Sequence, residues 1–244
     1  MLLREAVARL SASRGAWAWL VLEPVVHVLF MLVIFTVIRA RTLAGADVTI
    51  WLLLGMSCFF TARNVFQRSM GALSANAALF AYRQVRPADT VFVRAALEIL
   101  LGLVVAAFLV LLVSFVGHDI SPPSPLQAMA AYAGTMLCGL GLGLMLSVAG
   151  HLISEVQQLV SFLLLPLYLL SGVIFPLSAI PVQYREWVFL NPFAHGIELL
   201  RSSFFPIYHA APEANFGYLY GFALVSIFLG LALHVRFTER LRAQ

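Results

Sequence analysis

The sequence contains no lysine, and all fifteen of its basic residues are arginines. A phosphate-binding loop of the G-x-x-x-x-G-K-[ST] type requires a lysine, so this chain has no ATPase site of that kind. Charged residues make up only 11% of the 244 residues, whereas soluble domains contain about 25%. With 62% hydrophobic residues and a mean hydropathy of +0.95, the composition predicts an all-α integral membrane protein.

Cysteine is nearly absent as well. Cys58 and Cys138 are the two cysteines, and both lie inside apolar runs. Such positions favour buried, inert thiols over a disulfide bond. The first twenty residues contain no small-residue cleavage site, so we expect no signal peptide.

Residues 1–20 predict an amphipathic helix that lies in the headgroup layer of the membrane. At 100° per residue, the apolar side chains of Leu3, Val7 and Leu10 share one arc, and polar side chains lie opposite. The residues assigned to this interfacial contact are Arg4, Arg9, Arg14, Trp17 and Trp19. The alternative is a solvated leader that only sets the membrane topology.

Six apolar runs predict six transmembrane helices. They lie at about 21–38, from 49 onward, and at about 95–116, 128–149, 159–175 and 218–235. The second run covers only residues 49–62, roughly 21 Å of helix, so we expect that helix to continue past Arg63.

The arginines divide unequally between the two sides of these spans. Eleven lie at the two termini and in the stretch from Arg63 to Arg94, and four lie in the other connections. Short loops rich in arginine remain cytoplasmic, and the number of spans is even. The sequence therefore predicts that both termini are in the cytoplasm.

The segment 71–94 is predicted to be cytoplasmic and to carry a short helix. Residues 74–76 are typical of a helix start, and Ala77 to Gln84 fits about two turns. The pair Arg86-Pro87 ends that helix, and Asp89 is expected to cap the next one. A helix in this position is a surface on which a cytoplasmic partner pushes.

Two further regions depart from a simple bundle. Residues 176–206 are too polar to span and too apolar for an exposed loop, so they predict two re-entrant helices on the periplasmic side. One runs from Val182 to Phe189, and the other begins with Asn191 as cap and Pro192 at its first position. In the fourth span, Gly139 and Gly143 form a G-x-x-x-G pair that permits close helix packing.

This order of elements resembles the permease subunits of ABC-2 type exporters over the whole chain, 1–244, as one transmembrane domain. The motifs that carry the resemblance are Ser171-Gly-Val-Ile-Phe-Pro176, Ile180-Pro181 and Asn191-Pro-Phe-Ala-His-Gly-Ile-Glu-Leu-Leu-Arg201. They are similar to those of capsular polysaccharide export permeases, with O-antigen and teichoic acid permeases as close relatives.

The resemblance implies the ABC-2 exporter fold and a homodimer in the bacterial inner membrane. It implies no catalytic site and no cofactor on this chain, since ATP and Mg would bind to two copies of a separate ATPase subunit. The cargo would be an acidic, lipid-linked capsular polysaccharide moved from cytoplasm to periplasm. A periplasmic adaptor and outer-membrane polysaccharide export proteins would continue the route, surrounded by membrane lipids and without nucleic acid.

The resemblance also places the contact with the ATPase. The residues expected to couple it are Phe80, Tyr82, Arg83 and Arg86 in the segment 71–94, and Ser154 and Glu155 between the fourth and fifth spans. The second group belongs to the short polar stretch from His151 to Gln158.

A substrate pathway is predicted along the second and fifth spans. Phe59, Arg63 and Phe66 are spaced to share one stripe, and Tyr168 and Phe175 lie seven residues apart. Aromatic rings suit sugar faces, and a guanidinium suits carboxylate or phosphate. The alternative is that Arg63 extends to the inner surface while the aromatic rings pack in the core.

A periplasmic gate is predicted in the re-entrant region, comprising Tyr184, Trp187, Asn191, His195, Glu198 and Arg201. We expect Glu198 and Arg201 to form an intrahelical ion pair. His195 and Glu198 supply at most two metal ligands, so no metal site is predicted. Glu98 and His27 lie near span ends, where pairing with a nearby arginine is favoured over proton coupling.

Other functions remain open alternatives. An ABC-2 permease for O-antigen, teichoic acid or another lipid-linked or amphiphilic cargo would share these features. An ion-driven or proton-driven carrier, or an intramembrane enzyme, should place several acids at mid-membrane. Here the eleven acids are expected at span ends or in loops.

The predicted topology is testable by labelling. After Tyr82→Cys, a membrane-impermeant maleimide should react in inverted inner-membrane vesicles and not in intact spheroplasts, because the segment 71–94 faces the cytoplasm. Labelling of this cysteine from the periplasm would contradict the topology.

Tyr82→Ala and Arg83→Glu should uncouple transport while leaving the permease folded.

Overall fold

A computed structural model describes residues 16–37, 42–43, 46–81, 85–118, 120–208 and 210–242. Ten α-helices lie within these residues: α1 Ala16–Val37, α2 Val48–Met70, α3 Ala72–Ala75, α4 Pro87–Phe115, α5 Pro125–Leu152, α6 Glu155–Leu170, α7 Val182–Val188, α8 Pro192–Phe204, α9 Phe216–Arg236 and α10 Thr238–Arg242. Two 3₁₀ helices, Ala77–Ala81 and Leu177–Ala179, and the two-residue strands β1 Thr42–Leu43 and β2 Ala46–Asp47 complete the described structure.

Four of the described helices, α2, α4, α5 and α9, are long and apolar enough to cross a membrane. Two shorter apolar helical stretches, Val25–Phe35 within α1 and the whole of α6, accompany them. Within the described residues, the regular structure is thus all-helical apart from one small antiparallel hairpin, in which Thr42 pairs with Asp47. The count of six spans stays a prediction.

The helix α2 begins directly after the hairpin. The carboxylate of Asp47 accepts hydrogen bonds from the backbone N–H groups of Thr49 (2.8 Å) and Ile50 (3.2 Å), which caps the helix. The helix then runs for 23 residues to Met70. The prediction that the second helix continues past Arg63 is therefore confirmed.

The start of α4 differs from the prediction. The helix begins at Pro87, eight residues before the predicted span start at 95, and Arg86 rather than Asp89 is the capping residue. Asp89 lies at the third helical position, where its carboxylate accepts from the backbone N–H of Arg86 at 3.0 Å. Proline lacks an N–H donor and has a fixed φ, so it begins a helix readily, and the carboxylate completes a capping box.

The helix in the region predicted as the fifth span is also shorter than predicted. α6 ends at Leu170 instead of 175, because Gly172 adopts a left-handed conformation with φ of +69° that a helix cannot continue through.

At the centre of the bundle lies α5, which packs against α9, α2 and α8. A Cβ atom at Gly139 would lie 2.9 Å from the carbonyl oxygen of Ala62, and one at Gly143 would lie 3.4 Å from the Cα of Phe66. These glycines therefore let the backbones of α5 and α2 approach closely, which confirms the predicted role of the G-x-x-x-G pair. Cys58 and Cys138 are buried free thiols, as predicted.

The helix α8 lies inside the bundle, and nearly all its side chains are buried. Asn191 accepts from the backbone N–H of Phe193 at 3.0 Å, and Pro192 is the first helical residue, so the predicted helix start is confirmed. Phe193 contacts rings in the middle of α2, whereas Arg201 reaches Trp51 in the first turn of α2. α8 thus runs from mid-bundle toward the end where α2 begins.

The single helix predicted for Ala77 to Gln84 is wrong in form. The chain instead makes the short α3, a break at Asn76 and a 3₁₀ helix at Ala77–Ala81. The buried Asn76 amide donates to the carbonyl of Ala72 at 3.0 Å, a bond to the backbone that competes with helix continuation. Tyr82, Arg83 and Gln84 lie outside the described residues.

At the N-terminus, residues 1–15, including Arg4, Arg9 and Arg14, lie outside the described residues as well. From Ala16 onward the chain forms one continuous helix to Val37, which includes Trp17 and Trp19. No helix break therefore occurs at residue 20, and the interfacial position of residues 1–20 stays a prediction. Residues 16–23 contain no glycine or proline that would end a helix there, and Pro24 lies within the helix without ending it.

The close approach of α2 and α5 predicts opposite effects of one substitution at two glycines. Gly139→Ala should lower the free energy of unfolding by about 1–3 kcal/mol, because the new methyl group meets backbone that has little room to move. Gly221→Ala in α9, where no atom lies within 4 Å, should stabilise the protein by up to about 1 kcal/mol. Unfolding in detergent measures both, and equal effects would contradict the packing.

Candidate functional site

An aromatic cluster fills the centre of the bundle, formed by Phe59, Phe60, Phe66, Tyr168 and Phe193. The ring centroid of Phe59 lies 5.3 Å from that of Tyr168 and 6.1 Å from that of Phe193, and Phe66 stacks on Phe193 at 6.1 Å. Three of the predicted pathway residues, Phe59, Phe66 and Tyr168, are therefore brought together. All three are buried in this conformation.

Arg63 lies at one edge of this cluster. Its guanidinium is 4.8 Å from the ring centroid of Phe60, and its Nη2 donates to the side-chain oxygen of Asn64 at 3.0 Å. Phe60 in turn stacks on Tyr168 with the rings nearly parallel, 5.7 Å apart, and His27 from α1 meets Phe60 edge-on at 5.0 Å. The partly exposed edge of the cluster thus consists of a cation beside the ring of Phe60, with the buried ring of Tyr168 stacked behind it.

Sequence reasoning missed two residues here and misplaced one. Phe60 lies one helical turn before Arg63, and this i, i+3 spacing was the available indication of contact. Phe193 joins the two rings of α2, and only its place in the Asn-Pro-Phe start of α8 pointed to it. Phe175 lies beyond the end of α6 and is partly exposed, so its spacing from Tyr168 does not place both on one helix face.

A second cluster lies where α2 begins and is centred on Arg201; we call it the Arg201 cluster (Trp51, Gly172, Val173, Glu198, Arg201 and Tyr208). The Arg201 guanidinium is fully buried and donates to the backbone carbonyls of Gly172, of Val173 at 2.7 Å and of Trp51 at 3.3 Å. It also lies 3.7 Å from the ring centroid of Trp51. One side chain therefore ties α8 to α2 and to the chain that follows α6.

The backbone around this guanidinium is shaped to receive it. The left-handed Gly172 turns two successive carbonyls toward Arg201. On α2, a Cβ atom at Gly55 would collide with the guanidinium and lie 3.0 Å from the carbonyl oxygen of Val173. Glycine at position 55 thus gives the cation its space, and glycine at position 172 permits the turn that presents the carbonyls.

Glu198 and Arg201 do not form the expected ion pair. The Glu198 carboxylate accepts from the hydroxyl of Tyr208 and from the backbone N–H of Ala211 at 3.4 Å, while the Arg201 donors go to carbonyls. Burial, reinforced by the neighbouring Glu198, raises the pKa of Tyr208, which keeps its hydroxyl a donor. The two charges still attract each other across the cluster.

His195 connects the chain just after α7 to the chain just before α9. Its Nδ1 accepts from the backbone N–H of Asn215 at 2.9 Å, so its Nε2 carries the proton that it donates to the carbonyl of Phe189 at 2.7 Å. Burial lowers the pKa of His195, which favours this neutral form. Both ring nitrogens are thus engaged with the backbone and not available to a metal ion.

The predicted gate residues therefore divide into two groups. Asn191, His195, Glu198 and Arg201 bind neighbouring segments, Asn191 through a 2.8 Å hydrogen bond to the Ser171 hydroxyl. Tyr184 and Trp187 lie on the exposed face of α7, with 74% of the Trp187 side chain exposed. Within the described residues, no group of three or more His, Cys, Asp or Glu side chains converges on a possible metal position.

At the opposite end of the bundle, Phe80 lies in a third cluster, the Phe80 cluster (Leu73, Phe80, Val148 and Leu241). The backbone N–H of Arg86 joins the capping box of α4, and Ser154 donates to Glu155 at 3.2 Å in the turn before α6. Arg86, Ser154 and Glu155 are exposed, whereas Phe80 is buried. The remaining coupling candidates, Tyr82 and Arg83, lie outside the described residues.

These features define a multi-pass membrane protein with buried, hydrogen-bonded polar side chains inside its helix bundle. Comparison with known proteins identifies its family. A family model described as ABC-2 type transporter matches residues 1–205. The chain belongs to the ABC-2 type transporter family.

Individual relatives match over nearly the whole chain. The polysialic acid transport protein KpsM of Escherichia coli is 37% identical over 234 residues, which cover 96% of this chain and 90% of that protein. The capsule polysaccharide export inner-membrane proteins CtrC of Neisseria meningitidis serogroup A and BexB of Haemophilus influenzae are 29% and 25% identical, each covering 100% of this chain and 92% of the relative.

The Arg201 cluster generates a stability prediction. Arg201→Met should lower the free energy of unfolding by about 3 kcal/mol or more, because it leaves three buried carbonyls without a donor. Arg185→Met is the matched control, since Arg185 also donates to two carbonyls but is partly exposed. Water can replace its bonds, so the control should cost only about 1 kcal/mol.

Denaturant unfolding of the two purified variants in detergent compares them. A loss at Arg201 no greater than that at Arg185 would contradict the importance of the buried carbonyl contacts.

Proposed function

We propose that this protein is the transmembrane permease subunit of an ATP-driven ABC exporter, and that it moves lipid-linked acidic capsular polysaccharide from the cytoplasm to the periplasm. The observation that carries the proposal is the full-length similarity to KpsM, CtrC and BexB, each named for polysialic acid or capsule polysaccharide transport. The absence of lysine, and with it of a P-loop, agrees with ATP and Mg binding to a separate ATPase subunit.

In this proposal the protein lies in the inner membrane with six spans and both termini in the cytoplasm. The four long apolar helices provide four spans, and α1 and α6 provide the other two. The excess of arginine at the termini and in the segment 71–94 supports the orientation. Two copies of the chain would enclose the pathway between them.

The helices α7 and α8 act in the proposal as the re-entrant pair on the periplasmic side. Their support is the position of α8, which begins at mid-bundle beside Phe59 and ends beside the first turn of α2. Every carbonyl that Arg201 binds lies at the end of the bundle where α2 begins. The outer side of the pathway is then a rigid wall, and Tyr184 and Trp187 on α7 form its exposed rim.

The glycan pathway is proposed to follow the exposed edge of the aromatic cluster. The partly exposed ring of Phe60, with Tyr168 stacked against it, would offer a flat face to sugar rings, and the guanidinium of Arg63 would attract the carboxylates of an acidic glycan. Arginine at this depth is expensive to keep unless it has polar surroundings, as a hydrated pathway provides. Phe59, Phe66 and Phe193 then form the packed support behind that edge.

Force for transport is proposed to enter through the segment 71–94 and the turn at Ser154 and Glu155. Between Gly71 and Phe80 the exposed side chains are small, namely Ser74, Ala75, Ala77 and Ala78, so a partner can approach the backbone of this part closely. The buried Phe80 faces the opposite way, against α5. Beyond the membrane, a periplasmic adaptor and outer-membrane export proteins would receive the glycan.

Co-purification and reconstitution test the proposal. The permease purified in mild detergent should retain an ATPase subunit, and in proteoliposomes the complex should hydrolyse ATP and move lipid-linked acidic glycan. Recovery of the permease without an ATPase, or export without nucleotide hydrolysis, would overturn the proposal. Transport of neutral O-antigen or teichoic acid in preference to acidic capsule glycan would support the assignment as an ABC exporter but contradict the proposed cargo.

The charge of the pathway gives a sharper prediction. Arg63→Gln should lower transport of an acidic glycan about tenfold and leave that of a neutral glycan nearly unchanged, because it removes one ion contact of about 1–2 kcal/mol. Arg68→Gln, on the exposed side of the same helix, is the matched control and should transport both glycans normally. Equal losses for both glycans in Arg63→Gln would contradict a role in cargo recognition.

A further inference from the structure

The end of the chain folds back onto the segment 71–94. Leu241 in α10 is 1% exposed, and it packs in the Phe80 cluster with Leu73, Phe80 and Val148. These four side chains come from α10, from α3, from the 3₁₀ helix Ala77–Ala81 and from α5. One apolar contact thus joins four separate parts of the chain.

The position of α10 is fixed by hydrogen bonds to the end of α9. The hydroxyl of Thr238 donates to the carbonyl of His234 at 2.6 Å, and the backbone N–H of Leu241 donates to the carbonyl of Phe237 at 3.0 Å. One turn earlier, the buried His234 ring and the Ser147 hydroxyl form a hydrogen bond of 3.0 Å that joins α9 to α5. α10 is therefore fixed to the end of α9, which is itself bonded to α5, and it packs on α4 and on the 3₁₀ helix Ala77–Ala81.

The single turn of α10 has two different faces. Leu241 points into the cluster, and the charged side chains of Glu239 and Arg240 are exposed. Phe80 shares its cluster with Leu73 of its own segment, Val148 of α5 and Leu241, and the partly buried Val85, Leu233 and Phe237 pack against the same cluster. Removal of Leu241 would open one side of this cluster and let the 3₁₀ helix shift without moving α5.

We propose that α10 is a positioning element of the coupling segment, and that Leu241 is the residue through which it acts. It holds Phe80 against Val148, so that a displacement of the 3₁₀ helix is passed to α5 and α9 together. This inference rests on the proposed function, because it assigns to α10 a part in the transfer of force from an ATPase subunit. It extends the coupling surface to the C-terminus of the chain.

Transport per ATP hydrolysed distinguishes this role from simple filling of an apolar space. Leu241→Ala should leave the yield of the permease–ATPase complex and its ATP hydrolysis within about twofold of wild type, while glycan transported per ATP falls about fivefold. Leu241→Met, which retains the apolar volume, should restore the wild-type ratio. Val235→Ala is the matched control, since Val235 is 78% exposed and lies on α9 just before the turn into α10.

Two results would overturn the inference: a wild-type ratio in Leu241→Ala, or a loss of transport and ATP hydrolysis in equal proportion. If Leu241→Ala yields too little folded complex, the same ratio is measured in Leu241→Val, which removes only one methylene group; an unchanged ratio there overturns the inference as well. Failure of the wild-type permease to bind an ATPase or to move glycan would contradict the proposed function instead, so the two failures are distinguishable.

Discussion

The burial of one positive charge constrains the whole end of the bundle where α2 begins. A guanidinium removed from water must find a nearly complete set of acceptors, because each lost hydrogen bond costs more in an apolar interior than at the surface. Arg201 meets this requirement with three backbone carbonyls and the face of Trp51. Carbonyls cannot rotate freely as carboxylates do, so the segments that carry them must hold fixed positions. The left-handed Gly172 and the small Gly55 are the local consequences of this requirement.

The same constraint explains how the two ends of the molecule are related. α5 carries the Phe80 cluster near its C-terminal end and packs along α8 in its N-terminal half, where a Cβ atom at Gly196 would collide with Thr135. Because α8 is fixed to α2 and to the chain after α6, a movement of α5 must be shared by the elements that Arg201 joins. A rigid end at the Arg201 cluster and the coupling segment proposed at the opposite end would suit a transporter that is driven by a separate subunit. The aromatic cluster lies between these two ends, where the pathway is proposed.

Local chemistry decided which features could be predicted from the sequence. The start of α8 followed from the Asn191-Pro192 pair and the close contact of α5 from its G-x-x-x-G pair, since each depends on residues that are near in sequence. The length of α2 followed from the thickness of a bilayer, which requires more residues than its apolar run contains. The break at Asn76 and the partners of Arg201 could not be predicted in this way. The spacing of three residues suggested that Arg201 pairs with Glu198. The carbonyls to which Arg201 donates instead lie 28 to 150 positions away in sequence. Such contacts depend on how the helices assemble, which periodicity does not reveal.

The charge-swapped double variant Glu198→Arg, Arg201→Glu tests most directly whether carbonyls rather than a carboxylate stabilise the buried guanidinium. Its free energy of unfolding in detergent is compared with those of the wild type and both single variants. The structure predicts no rescue: the double variant should be at least as destabilised as Arg201→Glu, because a guanidinium at position 198 cannot reach the carbonyls of Gly172, Val173 and Trp51. Recovery to within about 1 kcal/mol of the wild type would show that the ion pair is the stabilising contact and would contradict this account.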